Sequence, residues 1–549
     1  QWFGDLVTPA WWDDIWLNES FANWMGYRIG NEWRPDLNIG AGALAEGFGA
    51  MNTDSLIAGR PIREKIEANS EIDAAFDSIT YGKGGHVVAM IAAFMGDDKF
   101  RDGVRSYMKA HRYGNATSAE FFRAMAEVSG DPRILPAMQS FIDQQGVPLL
   151  TFTGKDGRYN VTQSAYARFG TTPPERLWGV PLCVRKGETR KCELMSDRTM
   201  DLQVEGTGPL VPNAGGTGYY RFELPKREWE ALIAAASTLP GGEAQAVADS
   251  LGASLRAGRA GTAQMAALAR ELVRNPDSYA ADAATNQLSG LATQGLFDER
   301  ATASWRNFLE MLYRPLLEQY GFDPRAGAHT SDDPDRQQRR SQIVGWLAGP
   351  AKDAELNKKL AGAAQAYLAG DTKALDPAWF DLAFEAHVSA GGVPAAKALF
   401  DRALASEDPV FRPIAMGAVA ESGNLDVARW LLEEVKDDRL RSSETLRVLL
   451  PGILDSAKTR DYGYSWLMAN FDKTIGAGGG IFATSRLPQM LNGFCSVEKA
   501  DQIARDLRPR LAKTPGRLEL ERTIERVRNC GLLKDAKGAE LSMGMAKQR

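Results

Sequence analysis

From about residue 227 to its end the chain is rich in Ala and Leu and is broken by Gly or Pro at intervals of roughly 15 to 25 residues. Within these runs apolar residues recur at helical spacing, as at 395–404 and 425–432. No other feature restricts the fold as much. It excludes a mainly β protein and predicts successive helices, each covering the apolar face of its neighbour. No strict repeat period is visible, so the array is expected to be an irregular, solenoid-like bowl. The polar run 330–340 is read as an exposed loop leading into a helix, and the residues after about Lys537 as a loosely held tail.

Two other textures precede this region. Residues 1–146 read as mainly helical. Thr117 followed three positions later by Glu120 is the signature of a capping box, and the nearly continuous apolar run 84–95 predicts a buried helix. Between 147 and 226, strand-like runs at 149–153, 159–162, 178–182, 191–195 and 218–224 alternate with Gly, Pro and Asp turns. That spacing predicts a small β-sandwich. The fold class is therefore multidomain and mainly α, with domains at 1–146, 147–226 and 227–549.

Composition narrows the class of function. A charged fraction of 25% and a hydrophobic fraction of 44% are those of a folded globular chain. The net charge of −5 is small for 549 residues and provides no footprint for nucleic acid or an acidic membrane. No run has the apolar length of a membrane span. Five of the thirteen Trp residues (Trp2, Trp11, Trp12, Trp16 and Trp24) crowd the first 24 positions, an aromatic surface that needs burial. Four cysteines fall into two plausible pairs. Cys183 and Cys192 flank a predicted hairpin turn at Lys186-Gly187, and Cys495 and Cys530 lie in one helical region. Two disulfides imply an oxidising compartment, periplasmic or secreted; four free thiols in a cytoplasmic protein is the alternative.

The chemistry-bearing residues lie near the start. The sequence opens Gln1-Trp-Phe-Gly-Asp-Leu-Val-Thr-Pro-Ala-Trp-Trp-Asp-Asp-Ile-Trp-Leu-Asn-Glu19-Ser-Phe-Ala. Farther on stands Phe76-Asp-Ser-Ile-Thr-Tyr81-Gly-Lys83-Gly-Gly85. Asp54-Ser-Leu followed by Arg60-Pro-Ile lies between them, and Pro212-Asn-Ala-Gly-Gly-Thr-Gly-Tyr-Tyr-Arg221 ends the strand-rich region. These segments closely resemble the zinc aminopeptidase family that includes aminopeptidase N and the puromycin-sensitive enzyme. The resemblance covers residues 1–226 well; beyond that it rests on helical texture.

In that family a His-Glu-x-x-His helix supplies two zinc ligands and the general base, and a Glu in an Asn-Glu-Ser/Gly-Phe-Ala setting supplies the third ligand. Gln1 to Gly4 match the residues directly after the second His, which places Glu19 on the ligand position. The resemblance makes Tyr81 the hydroxyl that donates to the oxyanion of the tetrahedral intermediate, a donor fixed where negative charge develops. It implies the helical half of a thermolysin-like catalytic domain for 1–146, peptide substrates, and a Zn2+ cofactor whose bound water is acidified for attack.

One position departs from the pattern: Gly26 stands where many members carry an acid seven residues after the ligand. The chain contains no His-Glu-x-x-His and no Gly-x-Met-Glu-Asn amine anchor. It is therefore expected to be a portion of a longer enzyme, and by itself to be inactive and to hold zinc weakly if at all. His86, His111, His329 and His387 have no His or Cys at ligand spacing; His86 is read as a packed helical residue. The alternatives are a non-enzymatic helical-repeat scaffold for a protein or peptide partner and a related peptide-epoxide hydrolase, which lacks the inserted β-domain.

Overall fold

The computed structural model describes residues 2–67, 72, 75–436, 439–441, 443–477 and 481–548. Contacts divide the chain into two compact units, Gln1–Leu288 and Ser289–Arg549. The helices that come after the last strand, up to Leu288, thus belong with the first unit.

The first unit begins with a short strand β1 (Val7–Pro9) and helices α1 (Ile15–Trp33) and α2 (Ile39–Asp54). A five-residue π-helical turn, Ile79–Lys83, runs directly into α3 (Gly84–Met95), followed by α4 (Asp97–His111). β2 (Gly114–Ala116) pairs in parallel with β1. α5 (Ser118–Ser129) begins with the capping box that the sequence announces, with the Thr117 hydroxyl accepting from Glu120 N–H and the Glu120 carboxylate accepting from Thr117 N–H. α6 (Ile134–Ile142) completes the helical part. Its core is aromatic: Phe3 stacks on Phe21 and Tyr107, and Phe121 meets all three edge-on. The Trp cluster divides, with Trp16 fully buried while Trp2, Trp11 and Trp12 remain exposed.

The strands beyond α6 are β3 (Pro148–Lys155), β4 (Arg158–Ala165), β5 (Val180–Lys186), β6 (Thr189–Met195), β7 (Thr199–Gln203), β8 (Leu210–Val211) and β9 (Arg221–Glu223). They form one sheet ordered β7-β4-β3-β9 and another ordered β6-β5-β8. Alternation sets the inward faces: Leu150 and Phe152 on β3 and Tyr159, Val161 and Gln163 on β4 are buried. The β5–β6 hairpin turns at Gly187, whose φ of 60° suits a residue without a Cβ, and its register places Cys183 opposite Cys192. Both cysteine pairs, Cys183–Cys192 and Cys495–Cys530, are disulfide-bonded. α7 (Lys226–Ala234) and α8 (Gly241–Arg256) come next. From α8, Asp249 forms a buried pair with Arg221 of β9, whose guanidinium also donates to Asn52 of α2. One guanidinium thus ties sheet, helix α8 and helix α2 together.

The second unit is helical throughout its described residues, and successive helices such as Glu299–Tyr320, Pro334–Ala348, Ala354–Leu368, Phe380–Ala405 and Phe411–Ala420 pack on one another. The longest of these five bends at Gly392 (φ 60°), two residues before Pro394. Residues after Lys537 are not the loose tail expected from composition. The last helix runs Arg517–Ala546, with Leu541 and Met545 buried and the Ser542 hydroxyl donating to the Leu296 carbonyl. No helix among the described residues is long and apolar enough to cross a membrane.

Candidate active site

The π turn Ile79–Lys83 lies between α1 and α2, and small residues let it approach both. A Cβ on Gly84 would fall 2.0 Å from Ser20 Oγ of α1, and one on Gly82 would fall 2.8 Å from Ala50 Cβ of α2. At Gly47, a Cβ would fall 1.8 Å from His86 Nδ1, so α2 also admits α3 only at a glycine. The closely packed backbone then needs partners for its polar groups. Ser20 Oγ donates to the Thr80 carbonyl at 2.7 Å, and Asn23 Nδ2 reaches the next carbonyl, that of Tyr81, at 3.4 Å. Single π turns inside helices recur at functional sites because they re-aim one side chain.

The side chain aimed here is Tyr81. Its hydroxyl donates to Glu19 Oε2 at 2.7 Å, so two residues 62 positions apart in sequence meet in a half-buried site. Burial first, and then the hydrogen bond to Glu19 and its negative charge, push the Tyr81 pKa up to about 12. At neutral pH the phenol is therefore a proton-bearing donor. One turn along α1 from Glu19, Asn23 Nδ2 also donates to Glu46 Oε2 of α2 at 3.1 Å. Glu46 also acts on the Tyr27 hydroxyl, another turn on; burial first, then the Glu46 carboxylate, raise the Tyr27 pKa. Gly26 is exposed with open space around its Cβ position, so the acid behind this face of α1 comes from a different helix.

Behind the turn lies a layer of buried charge. Lys83 Nζ, fully buried, pairs with Asp54 Oδ2 at 3.0 Å and donates to the Gln144 carbonyl at 2.8 Å. Burial pushes the Lys83 pKa down, and Asp54 opposes that shift. Asp54 also accepts from Gly146 N–H and the Tyr219 hydroxyl. Arg60 is buried as well, pairing with Asp77 at 2.6 Å and donating to Thr80 Oγ1 and the carbonyls of Pro61, Ile62 and Ala75. The Asp54-Ser-Leu and Arg60-Pro-Ile segments are architectural in this sense: they clamp the residues on both sides of Tyr81. His86 is buried against Phe48 and Tyr219, and burial drives its pKa down to about 4, so it is a neutral packing residue.

The family resemblance singles out Glu19 and Tyr81 as expected site residues but gives no sign of Ser20, Asn23 or Glu46 as their neighbours. The only signal is position, since Glu19, Asn23 and Tyr27 fall at i, i+4 and i+8 on one helix face.

Residues 1–144 match the peptidase family M1 domain, and residues 210–529, more than half of the chain, match the ERAP1-like C-terminal domain. The chain belongs to the M1 aminopeptidase family. Relatives include the tricorn protease-interacting factor F2 of Thermoplasma acidophilum, 31% identical over 292 residues, covering 53% of this chain and 36% of the relative. The puromycin-sensitive aminopeptidase of Caenorhabditis elegans is 27% identical over 376 residues, 65% of this chain and 39% of that one. Aminopeptidase M1-D of Oryza sativa subsp. japonica is 26% identical over 556 residues, 96% of this chain and 62% of that one. The chain thus spans from about a third to three fifths of the length of these M1 relatives.

Members of such a family invite a test for zinc. A catalytic zinc takes three protein ligands of His, Glu, Asp or Cys type with a fourth position open. Glu19 is one carboxylate, and the group beside it is a phenol. Among the described residues, no three His, Cys, Asp or Glu side chains are grouped so as to hold a metal. The described residues do not by themselves fit the ion.

Proposed function

We propose that the protein carrying this chain is a zinc-dependent aminopeptidase that removes N-terminal residues from peptides by metal-activated attack of water. In this reading Glu19 is one of three metal ligands, and the Tyr81 hydroxyl stabilises the oxyanion. The observation that carries it is the 2.7 Å contact between the Tyr81 hydroxyl and Glu19, formed across 62 residues and backed by the buried Lys83–Asp54 pair and the part-buried Arg60–Asp77 pair. A carboxylate able to ligate and a protonated phenol then flank one point, where a reacting carbonyl oxygen acquires charge. In this reading the phenol is a proton-bearing donor to that oxygen and does not give the proton up. The aminopeptidase names among the M1 relatives support the same reaction class.

The 549 residues contain no His-Glu-x-x-His, so on their own they are assigned weak or no zinc binding and no turnover. The two disulfides favour a periplasmic or secreted location. The test is Glu19→Ala in the intact enzyme, read by bound zinc per molecule and by hydrolysis of an aminoacyl p-nitroanilide. Zinc is expected to fall well below one ion per molecule, and hydrolysis with it. A variant that retains a full ion and full hydrolysis removes Glu19 from the ligand set.

A further inference from the structure

The site as proposed names the group that acts; the contacts around it also identify what aims that group. Tyr81 is held from α1 at both ends. Its hydroxyl meets Glu19, and its carbonyl meets the Asn23 carboxamide one helical turn away. Asn23 Nδ2 carries two hydrogens, and both are committed, one to the Tyr81 carbonyl and one to Glu46 Oε2. Both partners are pure acceptors, so only the nitrogen of this amide fits there.

The π turn shapes this bracket. Two consecutive carbonyls of the turn, at Thr80 and Tyr81, take side-chain donors from α1, that of Tyr81 in addition to the Gly84 N–H. Ser20 satisfies the first from a position where Gly84 leaves no spare room. Asn23 satisfies the second, and it is the only one of the two that also reaches α2, through Glu46.

The geometry points to Asn23 as a positioning residue for the reaction: by bracing the Tyr81 carbonyl against Glu46, it sets where the Tyr81 hydroxyl stands relative to Glu19. This rests on the reading of Tyr81 as oxyanion donor. Asn23 itself touches no reacting atom. Its effect is transmitted through Tyr81, and it vanishes when Tyr81 has no hydroxyl to aim.

Asn23→Asp is nearly isosteric but replaces the donor with a carboxylate facing a carbonyl and Glu46. In the intact enzyme this substitution is expected to lower kcat by about tenfold to a hundredfold, the scale for a small misplacement of a catalytic group, with KM within about twofold. In a Tyr81→Phe background the same substitution is expected to change kcat by less than about twofold. An equal loss in both backgrounds, or no loss in either, overturns the positioning role. If Tyr81→Phe alone retains full turnover, the oxyanion assignment fails instead, and the two failures are told apart. A second readout needs no turnover. With fluorotyrosine at the fourteen Tyr positions of this chain, the 19F signal absent from Tyr81→Phe is assigned to Tyr81. Asn23→Asp, and the milder Asn23→Ala, are expected to displace that signal while the signals of distant Tyr residues stay in place, which also reports an intact fold. An unmoved Tyr81 signal in both variants contradicts the inference.

Discussion

Two sites, one in each compact unit, settle their acids in opposite ways. Behind Tyr81 in the first unit, charge meets opposite charge: Lys83 with Asp54, and Arg60 with Asp77. In the second unit, half-buried Glu385 leans on a second acid, Glu421, with Asp381 close enough to repel and Lys352 as the opposing cation. Burial first, then Glu421, push the Glu385 pKa up to about 7. Opposite-charge pairing costs desolvation but fixes geometry, because neither partner tolerates losing the other. A pair of acids holds together only while a proton is shared. The first arrangement suits a segment that must keep one side chain aimed; the second leaves its unit sensitive to pH.

The largest expected effect comes from breaking the opposite-charge pair. Lys83→Met leaves Asp54 buried and fully desolvated, and should lower the stability of the first unit by about 3–5 kcal/mol, read from the midpoint of urea unfolding. A loss under about 1 kcal/mol would mean that Gly146 N–H and the Tyr219 hydroxyl suffice for Asp54. Smaller, and opposite in sign between the units, is the response to pH. In the first unit His86 titrates at about 4 when folded against 6.5 when free, so its contribution is present above 6.5 and is lost as pH falls toward 4. In the second unit Glu385 titrates at about 7 when folded against 4.5 when free, so its contribution is present below 4.5 and is lost as pH rises toward 7. Hydrogen exchange corrected for intrinsic rates should show protection around His86 rising with pH over this window and protection around Glu385 falling. Glu385→Gln should abolish the second slope and leave the first. Slopes of the same sign in both units would break the contrast.

How much the sequence discloses depends on how locally each feature is determined. The Thr117–Glu120 cap depends on four residues, and the hairpin register that joins Cys183 to Cys192 depends on its turn; both are legible. Glu19 and Tyr81 are legible as linear motifs. The bracket around Tyr81 is not, because Asn23 has the carbonyl of Tyr81 as a partner only once a π turn forms, and no residue pattern announces that turn. Gly26 offers a vacancy at the expected position of an acid, while Glu46 reaches the same helix face from α2, 27 positions beyond Glu19 in sequence. The last helix escapes composition for a related reason. Its buried residues Leu541 and Met545 are separated only by Ser542, exposed Met543 and Gly544, and Ser542 finds its partners at Leu296 and Asp298, nearly 250 positions away.

The central claim is that the hydroxyl at position 81 acts on the transition state and not on the metal or the fold. Steady-state kinetics of Tyr81→Phe in the intact enzyme, with zinc content measured in the same sample, test it most directly. The account predicts an unchanged zinc content and a kcat lower by roughly 10²–10³, the scale for losing one oxyanion donor. Full turnover with zinc in place would contradict it.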